Sequence, residues 1–210
     1  MNADVLYKWI AQGEHQQQDF KYEISDICKI ARSVSAFANT TGGRLLVGVK
    51  DNGKIAGVRT DEEYYMIEAA ASNYCIPNVK VDVQVVVTEG KHVLVADIQP
   101  SSERPVYARE ADGSRVAYVR VADENIVANA VHLQLWRDEY KQKGACLIFT
   151  EREQKLLQML DVEEGITLNQ FCRCSLLPRR KAVWLLAHFV RYGVVEMVFV
   201  NHVFRFRQAR

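Results

Sequence analysis

SVSAFANTTGGRLLVGVKDNGKIAGV, residues Ser33 to Val58, is the stretch on which the fold turns. Apolar residues at helical spacing (Ile24, Ile27, Ala31, Val34, Ala38) run into it and stop at Asn39-Thr40-Thr41-Gly42-Gly43. The apolar run Leu45-Leu46-Val47-Gly48-Val49 follows and ends at Asp51-Asn52-Gly53. This order predicts a helix, a turn, a buried strand and a tight hairpin turn into a second strand, Lys54 to Val58. The paired glycines are expected where the chain reverses, because glycine takes positive φ without steric cost.

Upstream, Val5, Leu6, Trp9 and Ile10 share one helical face, with Gly13 as the stop. The alternation Phe20, Tyr22, Ile24 then reads as a strand leading into the central helix. Downstream, a helix is expected from Asp61 to Tyr74, closed by Cys75-Ile76-Pro77. Strands are expected at Val79 to Thr88, His92 to Ile98 and Val116 to Val121, with a short extended piece at Val106 to Ala108. Helices and strands mix without strict alternation, so the expected class is α+β with a mixed sheet. A helix from Ala128 to Tyr140 closes this region, and Lys141-Gln142-Lys143-Gly144 reads as a linker.

Charge changes across that linker. The whole chain of 210 residues has net charge +1, yet from Ile148 onward it holds 10 Lys plus Arg against 6 Asp plus Glu, about +4, and the front part, 17 against 20, is about −3. Two domains are therefore expected, residues 1–143 and 148–210. In the tail, Thr150-Glu151-Arg152-Glu153 and Thr167-Leu168-Asn169-Gln170 match the capping box, and Pro178 suits the first turn of a third helix that stops at Gly193. Val194 to Val200 and Val203 to Arg207, separated by Asn201-His202, read as a hairpin. Three short helices and a hairpin have the layout of a winged helix-turn-helix. Arg179, Arg180 and Lys181 then begin the helix that enters a DNA groove, Arg205 and Arg207 on the hairpin reach phosphates, and Trp184, Leu185 and Phe189 face the core. A dimer is expected, since a single recognition helix reads too short a site.

In the front part, four segments taken together resemble the Schlafen-type AlbA-like domain over about residues 5 to 140. They are Gly13-Glu14 with Asp19-Phe20-Lys21, then AFANTTGGRLLVGVKDNGKIAGV, then SSERPVY at Ser101 to Tyr107, and AYVRVADEN at Ala117 to Asn125. The resemblance implies a compact α+β fold with nucleic-acid-related roles, in keeping with bacterial members that carry a winged helix behind this domain. In its eukaryotic branch the framework holds a metal-dependent endoribonuclease site of three carboxylates. The resemblance maps these to Glu14, Asp19 and Asp51, which would hold Mg²⁺ or Mn²⁺, with Lys21 on a phosphate. Arg104 beside Tyr107, and Tyr118 beside Arg120, form an aromatic and basic set suited to bases and backbone, while core packing suits Tyr118 equally.

Other chemistry is excluded or weak. The Thr40-Thr41-Gly42-Gly43 loop follows a helix and lacks a Gly-Lys pair, so it is no P-loop. The five cysteines (Cys28, Cys75, Cys146, Cys172, Cys174) include no CxxC pair, and the five histidines are scattered. The N-terminus has no signal-peptide pattern, and no 18-residue apolar span occurs. The expectation is a soluble cytoplasmic protein without membrane contact, binding DNA or RNA. Either it regulates transcription as a DNA-binding protein that needs no cofactor, or it is a nuclease that needs Mg²⁺ or Mn²⁺.

Overall fold

The computed structural model describes residues 2–139 and 150–209. The expected linker at Lys141 to Gly144, and Cys146, lie outside the described residues. The chain forms two compact units, Met1–Ala128 and Asn129–Arg210.

In the first unit, α1 (Ala3–Gln12) precedes β1 (Gln18–Lys21), α2 (Ile27–Ala38) and β2 (Gly43–Val47). Then come α3 (Glu62–Asn73), β3 (Cys75–Ile76), β4 (Val81–Thr88) and β5 (Lys91–Ile98). The unit closes with β6 (Tyr107–Arg109), β7 (Arg115–Val121) and β8 (Glu124–Val127). Two four-stranded sheets result, ordered β1-β2-β5-β4 and β3-β6-β7-β8. The α+β class is thus met, with one parallel pair, β1 to β2, among antiparallel ones.

Helix α2 is the centre of this unit. Asp26 caps it by accepting from the Cys28 N–H at 2.8 Å. From Ser33 to Ala38 every residue is buried, and the small ones among them admit close neighbours on all sides. Its core includes Leu45 and Val47 of β2, Ala96 and Ile98 of β5, and Ala108 and Tyr118 of the other sheet. Leu46 points the opposite way, into a second cluster with Leu6 of α1. Strand β2 is covered on both faces, which explains its unbroken apolar run.

The helix also pins the second sheet through polar atoms. Asn39 Nδ2 donates to the carbonyls of Val106 (2.8 Å) and Tyr118 (2.9 Å), and its Oδ1 accepts from the Val106 N–H at 2.8 Å. Ser35, one turn earlier, donates to the Val106 carbonyl at 2.8 Å and accepts from the Tyr118 N–H at 3.1 Å. At Gly43 a Cβ would stand 2.5 Å from the Phe37 ring, so the second glycine is required by close approach of helix and strand.

One expected strand is absent. Lys54 to Val58 makes only an isolated bridge, Val49 to Ile55, because both edges of β2 are already occupied by β1 and β5. Gly48, at φ 92°, turns the chain out of the sheet, and its carbonyl accepts from Ala56 and Gly57. Conversely, the structure adds a strand, β8, that the sequence pattern does not predict: Ala122, at φ 52°, reverses the chain and lets Glu124 to Val127 pair with β7.

The second unit contains α4 (Ala130–Glu139), α5 (Glu151–Gln158), β9 (Ile166–Thr167), α6 (Leu168–Ser175), α7 (Arg179–Arg191), β10 (Val195–Val200) and β11 (Val203–Gln208). Its sheet runs β10-β11-β9. Helix α4, drawn with the front domain from sequence, buries Val131 in the core of this unit, with Phe171, Leu186 and Phe206. The Thr167 capping box is complete, with Gln170 N–H to Thr167 at 3.3 Å and Thr167 N–H to Gln170 at 2.8 Å. Asn201 and His202, at φ 51° and 60°, form the two-residue turn of the β10–β11 hairpin. Among the described residues no helix is long and apolar enough to cross a membrane.

Candidate functional site

Glu14 and Asp19 do converge, although they are five residues apart. Glu14 lies ahead of β1 and folds back, its Oε1 accepting from the Phe20 N–H at 2.9 Å. Asp19, 3% exposed, sits within β1 and faces Ser33 of α2. Its Oδ2 meets Lys21 Nζ at 2.9 Å and accepts from the Ser33 hydroxyl at 3.3 Å, while its Oδ1 meets Arg120 Nη2 at 3.4 Å. Asn125 joins the group, accepting from Arg120 Nη1 at 3.0 Å and donating to Ser33 at 2.9 Å. Arg120 also donates to the Gln18 carbonyl at 3.1 Å.

Charge in this cluster is divided unequally. Burial, and a hydrogen bond given to Asp19, raise the Glu14 carboxyl above its usual range. Burial would also raise Asp19, but Lys21, the Glu14 hydrogen bond and Arg120 outweigh it and hold Asp19 low. Of the two, Glu14 is the carboxyl that takes a proton more readily and Asp19 the one that gives it up more readily. Burial and the nearby Arg44 and Arg120 keep His15 below its ordinary value.

The third expected carboxylate does not join. Asp51 is exposed in the turn after β2, and no hydrogen bond or ion pair links it to Glu14 or Asp19. Among the described residues no three His, Cys, Asp or Glu side chains group as metal ligands. Both oxygens of Asp19 are already engaged by cations, and Glu14 is engaged by a backbone N–H and by Asp19. This donor set does not fit Mg²⁺ or Mn²⁺, which need free, ionised oxygen ligands. Of the three carboxylates expected to hold a metal, the structure brings Glu14 and Asp19 together and leaves Asp51 apart in the turn after β2. Lys21 is committed to Asp19 rather than free for a phosphate.

The aromatic and basic set of the front unit is also largely internal. Arg120 is 3% exposed and held by the cluster just described, so it cannot face nucleic acid. Tyr118 is buried, donates to Glu110 at 2.7 Å, and its hydroxyl is pushed up to about 12 by burial and by that carboxylate. Arg104 is partly buried, with its Nε enclosed. Sequence spacing gave no signal for Ser33 and Asn125, which reach Asp19 and Arg120 only through the packing of α2 and β8.

In the second unit the basic residues at the start of α7 are open. Arg179, Arg180 and Lys181 are all exposed, and Arg179 donates to Asn169 of α6 at 2.7 Å. Pro178 caps the helix from just outside it, its carbonyl accepting from Lys181 at 2.9 Å and Ala182 at 3.1 Å. Leu185 and Phe189 are buried as expected. Trp184 is not: it is 51% exposed and stacks on His188, ring centroids 4.0 Å apart, because it precedes Leu185 by one residue and so lies about 100° away on the helix. Arg205 and Arg207 are turned inward to the residue 163–165 loop. Arg205 donates to the Gly165 carbonyl at 3.2 Å, and Arg207 pairs with Glu196 and donates to the Glu163 carbonyl at 2.9 Å. They fasten the hairpin and are not free for phosphates.

The model of the family described as Schlafen, AlbA_2 matches residues 14–129, more than half of the chain. Among solved structures, the DIP2311 protein from Corynebacterium diphtheriae is similar at 22% identity and TM-score 0.45, covering 73% of this chain and 27% of its own. The chain thus spans about a quarter of that protein. The N-terminal domain of a putative ATP-dependent DNA helicase RecG-related protein from Nitrosomonas europaea is similar at 19% identity and TM-score 0.44, covering 72% of this chain and 97% of its own. No curated protein matches the chain. With the family model running from Glu14 through the Gly-Gly turn to β8, this chain belongs to the Schlafen AlbA_2 family.

Proposed function

We propose that this protein binds nucleic acid, and that it is a DNA-binding transcriptional regulator whose second unit acts as a winged helix-turn-helix. The observation that carries this is the exposed run Arg179, Arg180, Lys181 at the start of α7, the second helix of the α6–α7 pair. Three further features support it. The order α5, β9, α6, α7, β10, β11, with β9 pairing to β11, is the order of a winged helix. Residues at the start of a recognition helix are those that meet base edges and phosphates. Family membership agrees with a nucleic-acid role for the first unit, which would assemble or sense. A dimer supplies the second half-site.

Binding of a labelled duplex to the full chain, followed by fluorescence anisotropy over a salt series, tests this. If three cations meet phosphates, affinity falls roughly 40-fold between 50 and 200 mM salt. Arg179→Ala with Arg180→Ala should weaken binding and flatten the salt slope by about two. A duplex affinity indifferent to both salt and these substitutions refutes the proposal, and preference for a hairpin RNA under the same conditions would reassign the partner.

A further inference from the structure

Within the second unit an open groove of about 950 Å³ lies between α4 and α7. Both helices line it with cations, Arg137 from α4 and Arg179, Arg180 and Lys181 from α7. All four are exposed, and the lining contains no Asp or Glu among the described residues. Leu133 and Val183 give it an apolar floor, and the half-exposed indole of Trp184 completes it.

Two features of the groove are costly when it stands empty. Four like charges share one concavity, and an indole plus apolar floor stay wet. A duplex backbone would relieve the first and the second only in part, since its phosphates and deoxyriboses present no flat aromatic ring to stack on the indole. A ligand carrying both an anionic group and a flat ring relieves both, through charge-assisted bonds and aromatic contact. The indole is also held ready for stacking, because His188 already packs on it at 4.0 Å between ring centroids. The volume suits a small ligand, pockets for which span about 300–1,000 Å³.

We propose that this groove binds a small aromatic anion of mononucleotide size, its ring against Trp184 and Val183 and its phosphate or carboxylate among Arg137, Arg180 and Lys181. Three of the four cations are those assigned to DNA above, so ligand and duplex exclude each other. That exclusion rests on the DNA reading, whereas the ligand site does not.

Isothermal titration of the full chain at low salt, without DNA, tests the site. The probes are AMP and salicylate, with adenosine as ring without charge and inorganic phosphate as charge without ring. Saturable binding of AMP or salicylate, at least tenfold tighter than either control, is expected. AMP alone would mark a nucleotide site, and salicylate as well an aromatic carboxylate site. Arg137→Ala and Trp184→Ala, both at exposed positions and each checked by its melting curve, should weaken binding at least tenfold. Phosphate binding as tightly as AMP, no saturable heat from either aromatic anion at millimolar concentration, or full affinity in both variants overturns the proposal. Exclusion is read separately: duplex affinity should fall at least tenfold at saturating ligand, and an unchanged value overturns the exclusion alone. A chain that binds no duplex removes the DNA reading and leaves the calorimetric result standing.

Discussion

Asn39 joins α2 to the backbone at the start of β6 and in β7. It ends α2 and satisfies one N–H and two carbonyls of the second sheet, all away from water. Asn39→Ala would leave the Val106 N–H and the Tyr118 carbonyl unpaired, while the Val106 carbonyl keeps Ser35. At roughly 1–3 kcal/mol for each of these two orphaned groups, the expected loss is about 2–6 kcal/mol. A urea midpoint for Asn39→Ala within error of the wild type would show that these bonds contribute nothing net. Asn39 lies inside the motif that carries the family resemblance, yet its role concerns the joining of helix to sheet. The same holds for Asp19: its buried ion pairs with Lys21 and Arg120 serve the joint between β1, α2 and β7. A carboxylate so engaged is a poor metal ligand and a sound internal counter-ion.

Among the elements, α4 is the one whose placement changes the interpretation of the tail. Its His132 stands edge-on to Phe204 of β11 at 4.8 Å between centroids, and its Nδ1 accepts from the Asn129 N–H at 3.2 Å. Burial pushes this imidazole down to about 4. The folded state therefore binds fewer protons than the unfolded one between about pH 6.5 and 4, and stability falls as pH falls through that window. A shift from 6.5 to about 4 corresponds to roughly 3 kcal/mol lost by pH 4. His132→Phe keeps the ring packing and removes the proton site, so its melting temperature should decline less over that range. Equal acid sensitivity in both proteins would assign the effect to other groups. The α4 helix also supplies one wall of the groove, with Ala130, Leu133 and Gln134, and its fourth cation, Arg137.

For the whole molecule, the two units divide the work expected of them unequally. The front unit holds its most interesting charges inside, and the tail displays its cations at the start of α7. Incubating the full chain with tRNA and with duplex DNA, in Mn²⁺ and then in EDTA, should therefore give binding without metal-dependent cleavage. Cleavage in Mn²⁺ that disappears in Glu14→Ala would mean that the Glu14–Asp19 pair opens to admit a metal, and would overturn this division.

The helix spacing up to Ala38, the Gly-Gly turn, the continuous apolar run of β2, the Thr167 capping box and the Asn201-His202 turn are local signals. Each is set by backbone propensity or periodicity within a few residues, and the sequence alone determined them. With the spread of motifs from Glu14 to Asn125, it also determined the family. Only the tertiary structure decided which residues share a site. Asp19, Ser33, Arg120 and Asn125 are separated by up to 106 residues and meet because α2 lies against both sheets, while Asp51, which lies within that span, is left out. Likewise Trp184 faces outward from α7, and Arg205 and Arg207 are held by the carbonyls of Gly165 and Glu163, contacts made only once the hairpin meets that loop. Long-range convergence depends on how faces are covered, and a linear pattern holds no record of which element covers which face.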